Sequence, residues 1–392
     1  MRLINFILII FAFLFSACDE KVLEPISASL GKPGMVADIQ TTPTPGGVEI
    51  TYRIPDAEDI LQVKGVYTLS NGKTYESTAS FYENKLKIEG YDDVLEHTVK
   101  VVAVNRAQEE SDPVMVTFTP LESSLSKVSK TMEIISAFGG AQYSWLNTDK
   151  APLTFEFFAQ DSLGELKNMK IITSQADTMK QALRGYKPEP RIFAAIIRDN
   201  WENASDTVFP PGKTITPLFE EKIDKRKMSV MKLGSDANFT NWEGSDAYLI
   251  DDVYTNFGHS PSSSLPAAFT IDLGATAKLS RLVMHQRDNM VYSWGNPKNF
   301  EVYGSDHRPD QSGDWNDWTR IMHCTIIKPS GSPVGTNTDE DVAALKAGHE
   351  FSFDLTQAPL RYIRIRILDT WGGSTFTHPA EVTFYGEVIN EE

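Results

Sequence analysis

The sequence predicts an all-β chain of several domains carried behind an export leader. Three observations support this. Apolar and polar residues alternate with period two in short runs, as in V-E-I-T-Y-R-I (48–54) and T-V-K-V-V-A-V (98–104), which turns one face of each run toward a core. Turn signals such as Asn71-Gly72 separate the runs, and long helical periods are lacking where they occur. The 392 residues allow about two to four domains at roughly 100–200 residues each.

The first element is the leader, residues 1–17. Arg2 supplies the positive end, Ile4 to Phe15 are apolar apart from Asn5, and Ser16 and Ala17 are small. This run is too short to span a bilayer and reads as a signal peptide. The segment L-F-S-A-C (14–18) resembles a bacterial lipobox, with Phe15 where that family usually has Leu. The resemblance implies cleavage before Cys18 and a diacylglyceryl thioether on it, so that the membrane is a partner through a lipid anchor. Asp19 and Glu20 resemble the surface-export signal of Bacteroidota lipoproteins, which implies the outer membrane, on the cell surface. Residues 18–32 then comprise the lipidated cysteine and a tether rich in small polar residues. Cys324 is left without a partner in the mature chain and sits in the apolar run I-M-H-C-T-I-I. It reads as a small core residue rather than a nucleophile.

Charge narrows the partners. Lys and Arg total 37 against 53 Asp and Glu, a net charge of −16. Such a chain repels phosphate backbones, and no basic run interleaved with aromatics offsets this, so nucleic acid is set aside.

Residues 33–120 form the next element. Alternating runs at 48–54, 63–69, 85–89, 98–104 and 114–118 predict a β-sandwich. The early proline entry, the strand ending at Asn105 and the exit through Thr119-Pro120 resemble a fibronectin type III module. An echo follows. V-N-R-A-Q-E-E-S-D-P-V (104–114) leads to T-P-L-E (119–122), and R-D-N-W-E-N-A-S-D-T-V (198–208) leads to T-P-L-F-E (216–220). The repeat predicts a second sandwich over 121–218. Its F-G-G-A-Q-Y-S-W-L-N stretch (138–147) looks like a sandwich domain common in Bacteroidota lipoproteins. Both sandwiches read as spacers. The charged run E-E-K-I-D-K-R-K (220–227) within 219–228 reads as a solvated linker.

Residues 229–392 carry the most information. Y-L-I-D-D-V-Y-T-N-F-G-H-S (248–260), P-A-A-F-T-I-D-L-G (266–274), L-S-R-L-V-M-H-Q-R (279–287), N-P-K-N-F-E-V-Y-G-S-D (296–306), R-Y-I-R-I-R-I-L (361–368) and A-E-V-T-F-Y-G-E (380–387) follow in order. Together they resemble a discoidin, or coagulation-factor C-type, domain: the galactose-binding-like jelly roll also used by family 32 carbohydrate-binding modules. Asp252 and Phe257 depart from that family's usual Gly or Asn and Trp, and the insert 328–349 lengthens one loop. The expected fold class is therefore all-β, two tandem immunoglobulin/fibronectin-like β-sandwiches followed by a galactose-binding-like jelly roll. Alternation in Y-I-R-I-R-I (362–367) places Ile363, Ile365 and Ile367 on one face and Arg364 and Arg366 on the other.

The resemblance implies two chemistries. One is a structural Ca2+ held by Asp251, Asp252 and Thr255 of the early loop with Glu381 near the last strand, all hard oxygen donors. The same loop also reads as a turn whose Asp side chains cap its own backbone. The other is a sugar site, since sugars offer C–H faces to aromatic rings and hydroxyls to paired polar groups. Loop 286–296 supplies Arg287, Asn289, Tyr292, Trp294 and Asn296, and loop 369–378 supplies Trp371, Phe376 and His378. Packing on the sandwich is the competing reading for each aromatic.

The architecture resembles accessory lipoproteins of Bacteroidota polysaccharide-uptake systems. It implies non-catalytic capture of a glycan ligand at the surface. The alternative is a protein-interaction subunit assembling with outer-membrane transporter components. An enzyme is not expected: no nucleophile elbow, phosphate-cradling loop or H-E-x-x-H occurs.

Overall fold

A computed structural model describes residues 30–56 and 58–390. The expected signal peptide, the lipidation of Cys18 and most of the tether lie outside the described residues. Among the described residues no helix is long and apolar enough to cross a membrane.

The first sandwich packs a sheet of Ala37–Thr44, Gly47–Arg53 and Lys85–Glu89 against a sheet ordered Thr74–Ser80, Ile60–Thr68, His97–Asn105 and Val114–Phe118. Alternation sends Val48, Ile50, Leu86 and Ile88 inward to meet Val63, Val99 and Val101. Gly65 permits this closeness, because a Cβ there would lie 2.7 Å from Leu86 and 3.0 Å from Ile88.

The second sandwich repeats the plan strand for strand. Glu133–Ala137, Gly140–Leu146 and Thr178–Leu183 form one sheet, and Leu166–Ser174, Leu153–Gln160, Arg191–Arg198 and Thr214–Ile215 the other, in the same spatial order. A helix, Ser124–Thr131, precedes it, capped by Ser123 Oγ accepting the Ser126 amide at 2.9 Å.

The sequence echo corresponds to matching hydrogen bonds. Ser111 Oγ accepts the Ala103 amide at 3.0 Å and donates to the Asp112 carbonyl. Ser205 Oγ accepts the Ile197 amide at 3.0 Å and donates to the Asp206 carbonyl. The two Thr-Pro-Leu segments also match. Leu121 bonds Thr44 and Gly46 of the first hairpin, and Leu218 bonds Ala137 and Gly139 of the equivalent one. Each sandwich is thus closed by the segment that leaves it.

The jelly roll is built around Ala267–Gln286. Its first half pairs with Leu360–Thr370 and its second half with Pro379–Asn390, the register shifting between Asp272 and Ala277. Pro297–Ser305 and Thr319–Thr325 extend the sheet. Ile363, Ile365 and Ile367 enter the core with Phe269, Ile271 and Phe384, and Cys324 is buried with them. Burial pushes the Cys324 thiol up to about 12, which suits a core residue rather than a reactive thiolate.

On the face opposite the isoleucines, Arg364 is fully buried as well, bonded to Asp236 at 2.8 Å and 3.8 Å from the centre of the Trp315 ring. A guanidinium is buried at tolerable cost only with such partners. The expectation of a solvated linker over 219–228 is corrected, because the segment docks on the jelly roll. Glu221–Lys222 pairs with Tyr385 and Gly386 as an edge strand, and Ile223 and Met228 enter the jelly-roll core. Alternating charge hid two apolar residues at the spacing that docks the segment.

Candidate carbohydrate-binding loop face

Four loops meet at one end of the jelly roll and are tied by backbone bonds. The His259 amide donates to Phe239 and the Asn241 amide to His259, joining loop 239–245 to loop 256–264. Gly258 and Ser260 donate to Pro379 and Thr377. Gly372 and His378 donate to Trp294 and Gly295, so loop 369–378 is sewn to loop 286–296. Gly295 is needed at this junction, since a Cβ there would lie 2.7 Å from His378 and 2.9 Å from Phe376. Such a face is preorganised by backbone rather than by flexible side chains.

The eight proposed sugar-site residues divide. Trp294 projects into solvent with 59% of its surface exposed. Phe376 is half-buried and stacks on His259 with ring centres 4.8 Å apart. Arg287 is half-buried, lies 3.9 Å from the centre of the Phe257 ring, and donates from Nε to Asn289 Oδ1 at 2.8 Å. These four residues, Arg287, Asn289, Trp294 and Phe376, keep exposed or half-exposed surface on the loop face.

The other four serve the scaffold. Tyr292 is fully buried and meets Trp371 edge-on at 5.2 Å; burial raises its hydroxyl to about 12. Trp371 is partly buried against the same core. Asn296 is fully buried, accepting the Arg287 amide at 2.9 Å and donating to the Arg287 and Met290 carbonyls. It closes its loop and has no group left for a sugar. His378 is buried, and its Nε2 accepts the Gly295 amide at 3.0 Å. That bond needs a neutral ring, and burial lowers the imidazole to about 4. Polar loop composition could not separate these residues, because burial is decided by how the loops interweave.

One aromatic was missed. Trp242 is 87% exposed at the tip of loop 239–245, its ring 6.4 Å from that of His259. Its backbone has a φ of 51°, an uncommon conformation for tryptophan. The segment N-F-T-N-W-E-G (238–244) has a detectable signal, a tryptophan amid turn formers. The rings run Trp242, His259, Phe376, and then by way of Gly295 to Trp294.

The implied calcium ligands are not arranged around a cation of their own. Asp251 spends one oxygen on the Val253 amide and the other on Asn256 Nδ2, the self-capped turn that was the competing reading. Asp252 Oδ1 meets Lys222 Nζ at 2.6 Å and Lys225 Nζ at 2.9 Å. Glu381, fully buried, takes Lys225 on Oε1 and the Asp252 amide on Oε2 at 2.8 Å. Thr255 is exposed on the turn. Among the described residues no group of three or more His, Cys, Asp or Glu is placed to hold a metal. The donor set does not fit Ca2+, because an ammonium already sits among its oxygens.

Residues 33–120 match DUF4959, 121–226 match DUF5126 and 247–386 match DUF5000, each described as a domain of unknown function. No curated protein matches the chain. Among solved structures, a SusE-like protein is 30% identical over 68% of this chain and 100% of its own, with a TM-score of 0.45. The C-terminal domain of a chitobiase from Bacteroides fragilis is 21% identical over 43% of this chain and 100% of its own, TM-score 0.32. A family 32 carbohydrate-binding module from a family 31 glycoside hydrolase of Clostridium perfringens is 17% identical over 42% of this chain and 95% of its own, TM-score 0.32. The first is a relationship of sequence; the other two add nothing to the fold described above.

Proposed function

This chain belongs to the SusE-like proteins, and on that premise we propose that it binds carbohydrate without acting on it, through the loop face of its C-terminal jelly roll. The observation that carries the reading is the pair of exposed tryptophans, Trp242 and Trp294, flanking the Phe376–His259 stack on a hydrogen-bonded frame. Exposed tryptophans on a rigid frame lose little side-chain entropy on stacking against a sugar. Arg287 and Asn289 stand beside them for hydroxyls. The resemblance of residues 229–392 to galactose-binding-like modules supports the same reading. In the finer reading, Cys18 anchors the protein at the outer-membrane surface. The two sandwiches lift the face outward, and the captured glycan is passed to an outer-membrane transporter.

The test is binding of the mature chain, residues 19–392, to a polysaccharide array, with Trp242→Ala and Trp294→Ala as variants. Each substitution is expected to weaken binding about tenfold, roughly 1.4 kcal/mol, at unchanged melting temperature, because neither ring is packed. Trp371→Ala is the contrasting variant, expected to lower the melting temperature. Absence of polysaccharide binding, with co-purification of a transporter, would replace this reading by the assembly-subunit one.

A further inference from the structure

We propose that Lys225, brought in by the segment joining the second sandwich to the jelly roll, is the resident cation of the early loop, so that this domain is ordered without calcium. Lys225 belongs to the short turn Lys225–Lys227, whose start is fixed by Asp224 accepting the Arg226 amide at 3.0 Å. From there the side chain runs inward, only 6% exposed. Its ammonium contacts Glu381 Oε1, Asp252 Oδ1 at 2.9 Å and Thr383 Oγ1 at 2.9 Å. Carboxylate and hydroxyl oxygens around one buried positive charge are what a hard cation would receive. Here the charge is covalently part of the chain.

The two carboxylates in contact with the lysines are matched: Glu381 and Asp252 carry two negative charges, and Lys225 and Lys222 two positive ones, with Asp251 adding a further negative charge near Glu381. A divalent ion among the oxygens of Glu381 and Asp252 would be repelled by the Lys225 ammonium that already contacts both carboxylates. Burial pushes the Glu381 carboxyl above its ordinary range, and Lys225 and the Asp252 amide are what hold it down. Asp252 has a φ of 65°, which an aspartate adopts when its surroundings hold it there. Its amide is held by Glu381 and its carboxylate by two lysines.

The consequence reaches the loop face. The turn that Lys225 holds continues into Phe257, which carries Arg287, and His259, which carries Phe376. The metal arm of the test does not depend on the glycan reading. The mature chain is titrated with calcium chloride by calorimetry and melted with and without EDTA. The expected result is no one-site binding heat and no shift of melting temperature in EDTA. A one-site calcium heat that disappears in Asp252→Asn, or a melting temperature lowered by EDTA, overturns the proposal. Lys225→Met is expected to lower the melting temperature by leaving Glu381 buried without its partner, and Lys225→Met with Glu381→Gln to recover much of the loss. A Lys225→Met protein as stable as wild type also overturns it. Should Lys225→Met not fold, the double variant and the wild-type titration decide.

Discussion

At the scale of single residues, the loop face depends on histidines that stay neutral. His378 and His285 are buried and His349 is half-buried, and desolvation brings all three imidazoles down to about 4. The unfolded chain takes up these protons near pH 6.5, while the folded chain refuses them until about pH 4. The stability they allow is therefore complete above pH 6.5 and falls as pH drops toward 4. At pH 5 this amounts to about 2 kcal/mol for each histidine as an upper figure. Glu381 works in the opposite sense, since its carboxyl is raised and its deprotonation opposes folding as pH rises. Among the groups shifted this far, three histidines against one carboxyl leave a net loss in acid. Urea midpoints measured at pH 7 and pH 5 are expected to show the folded state weakened at pH 5. Glycan binding should fall with it, because a protonated His378 cannot accept the Gly295 amide that joins the two central loops. Equal midpoints at the two values would mean that the imidazoles find acceptors on protonation.

At the scale of elements, the echoed turns show what a weak repeat can encode. Ser111 and Ser205 each turn a hydroxyl back onto the strand they follow, onto Ala103 and Ile197. Ser111→Ala leaves the buried Ala103 amide without that acceptor and is expected to cost about 1–3 kcal/mol. Ser205 is less buried, so Ser205→Ala is expected to cost less. Chemical denaturation of the two variants checks the order, and a larger loss for Ser205→Ala would contradict it. The elements that sequence reading recovers are those whose signal is local. Period-two runs such as 48–54 became strands as expected, and the Ser-Asp echo marked two sandwiches of one topology. The exposure of Trp294 and the partial exposure of Phe376 were legible for the same reason, as aromatics among turn formers. Elements whose environment comes from distant chain were not. Arg364 alternates as if exposed but is covered by Trp315 from another loop. Lys225 lies in a run that looks solvated, and it is the last strand, carrying Glu381 and Thr383, together with Asp252 that draws its side chain inward. Tyr292 and Asn296 share their loop with Trp294, yet they turn inward because the backbone doubles back at Asn296.

At the scale of the whole molecule, the question is whether the sandwiches present the jelly roll in a fixed direction. The first two are joined at Asn203, whose Nδ2 donates to the Gly90 carbonyl at 2.8 Å, and at Trp201, packed edge-on to Tyr75 at 5.3 Å. The second and third are joined through Glu220, whose side chain is only 10% exposed. Its carboxylate meets Ser280 Oγ at 2.5 Å and Arg281 Nε at 3.2 Å, with Arg184 of the second sandwich 3.9 Å away. Arg184 in turn reaches Glu350 and Ser352 of the jelly roll. Two guanidiniums and two carboxylates thus clamp the junction, and Arg281 also lies 3.7 Å from the centre of the Tyr385 ring. A network of this kind orients more than it stabilises, since part of the attraction is spent on desolvation. Glu220→Ala removes the carboxylate that both arginines share while leaving the strand Glu221–Lys222 in place. The variant is expected to keep its secondary structure, to give a broader distance distribution in small-angle X-ray scattering, and to be cut faster by trypsin after Lys213. Scattering and cleavage identical to wild type would show that the short strand and the buried Ile223 hold the junction without the clamp.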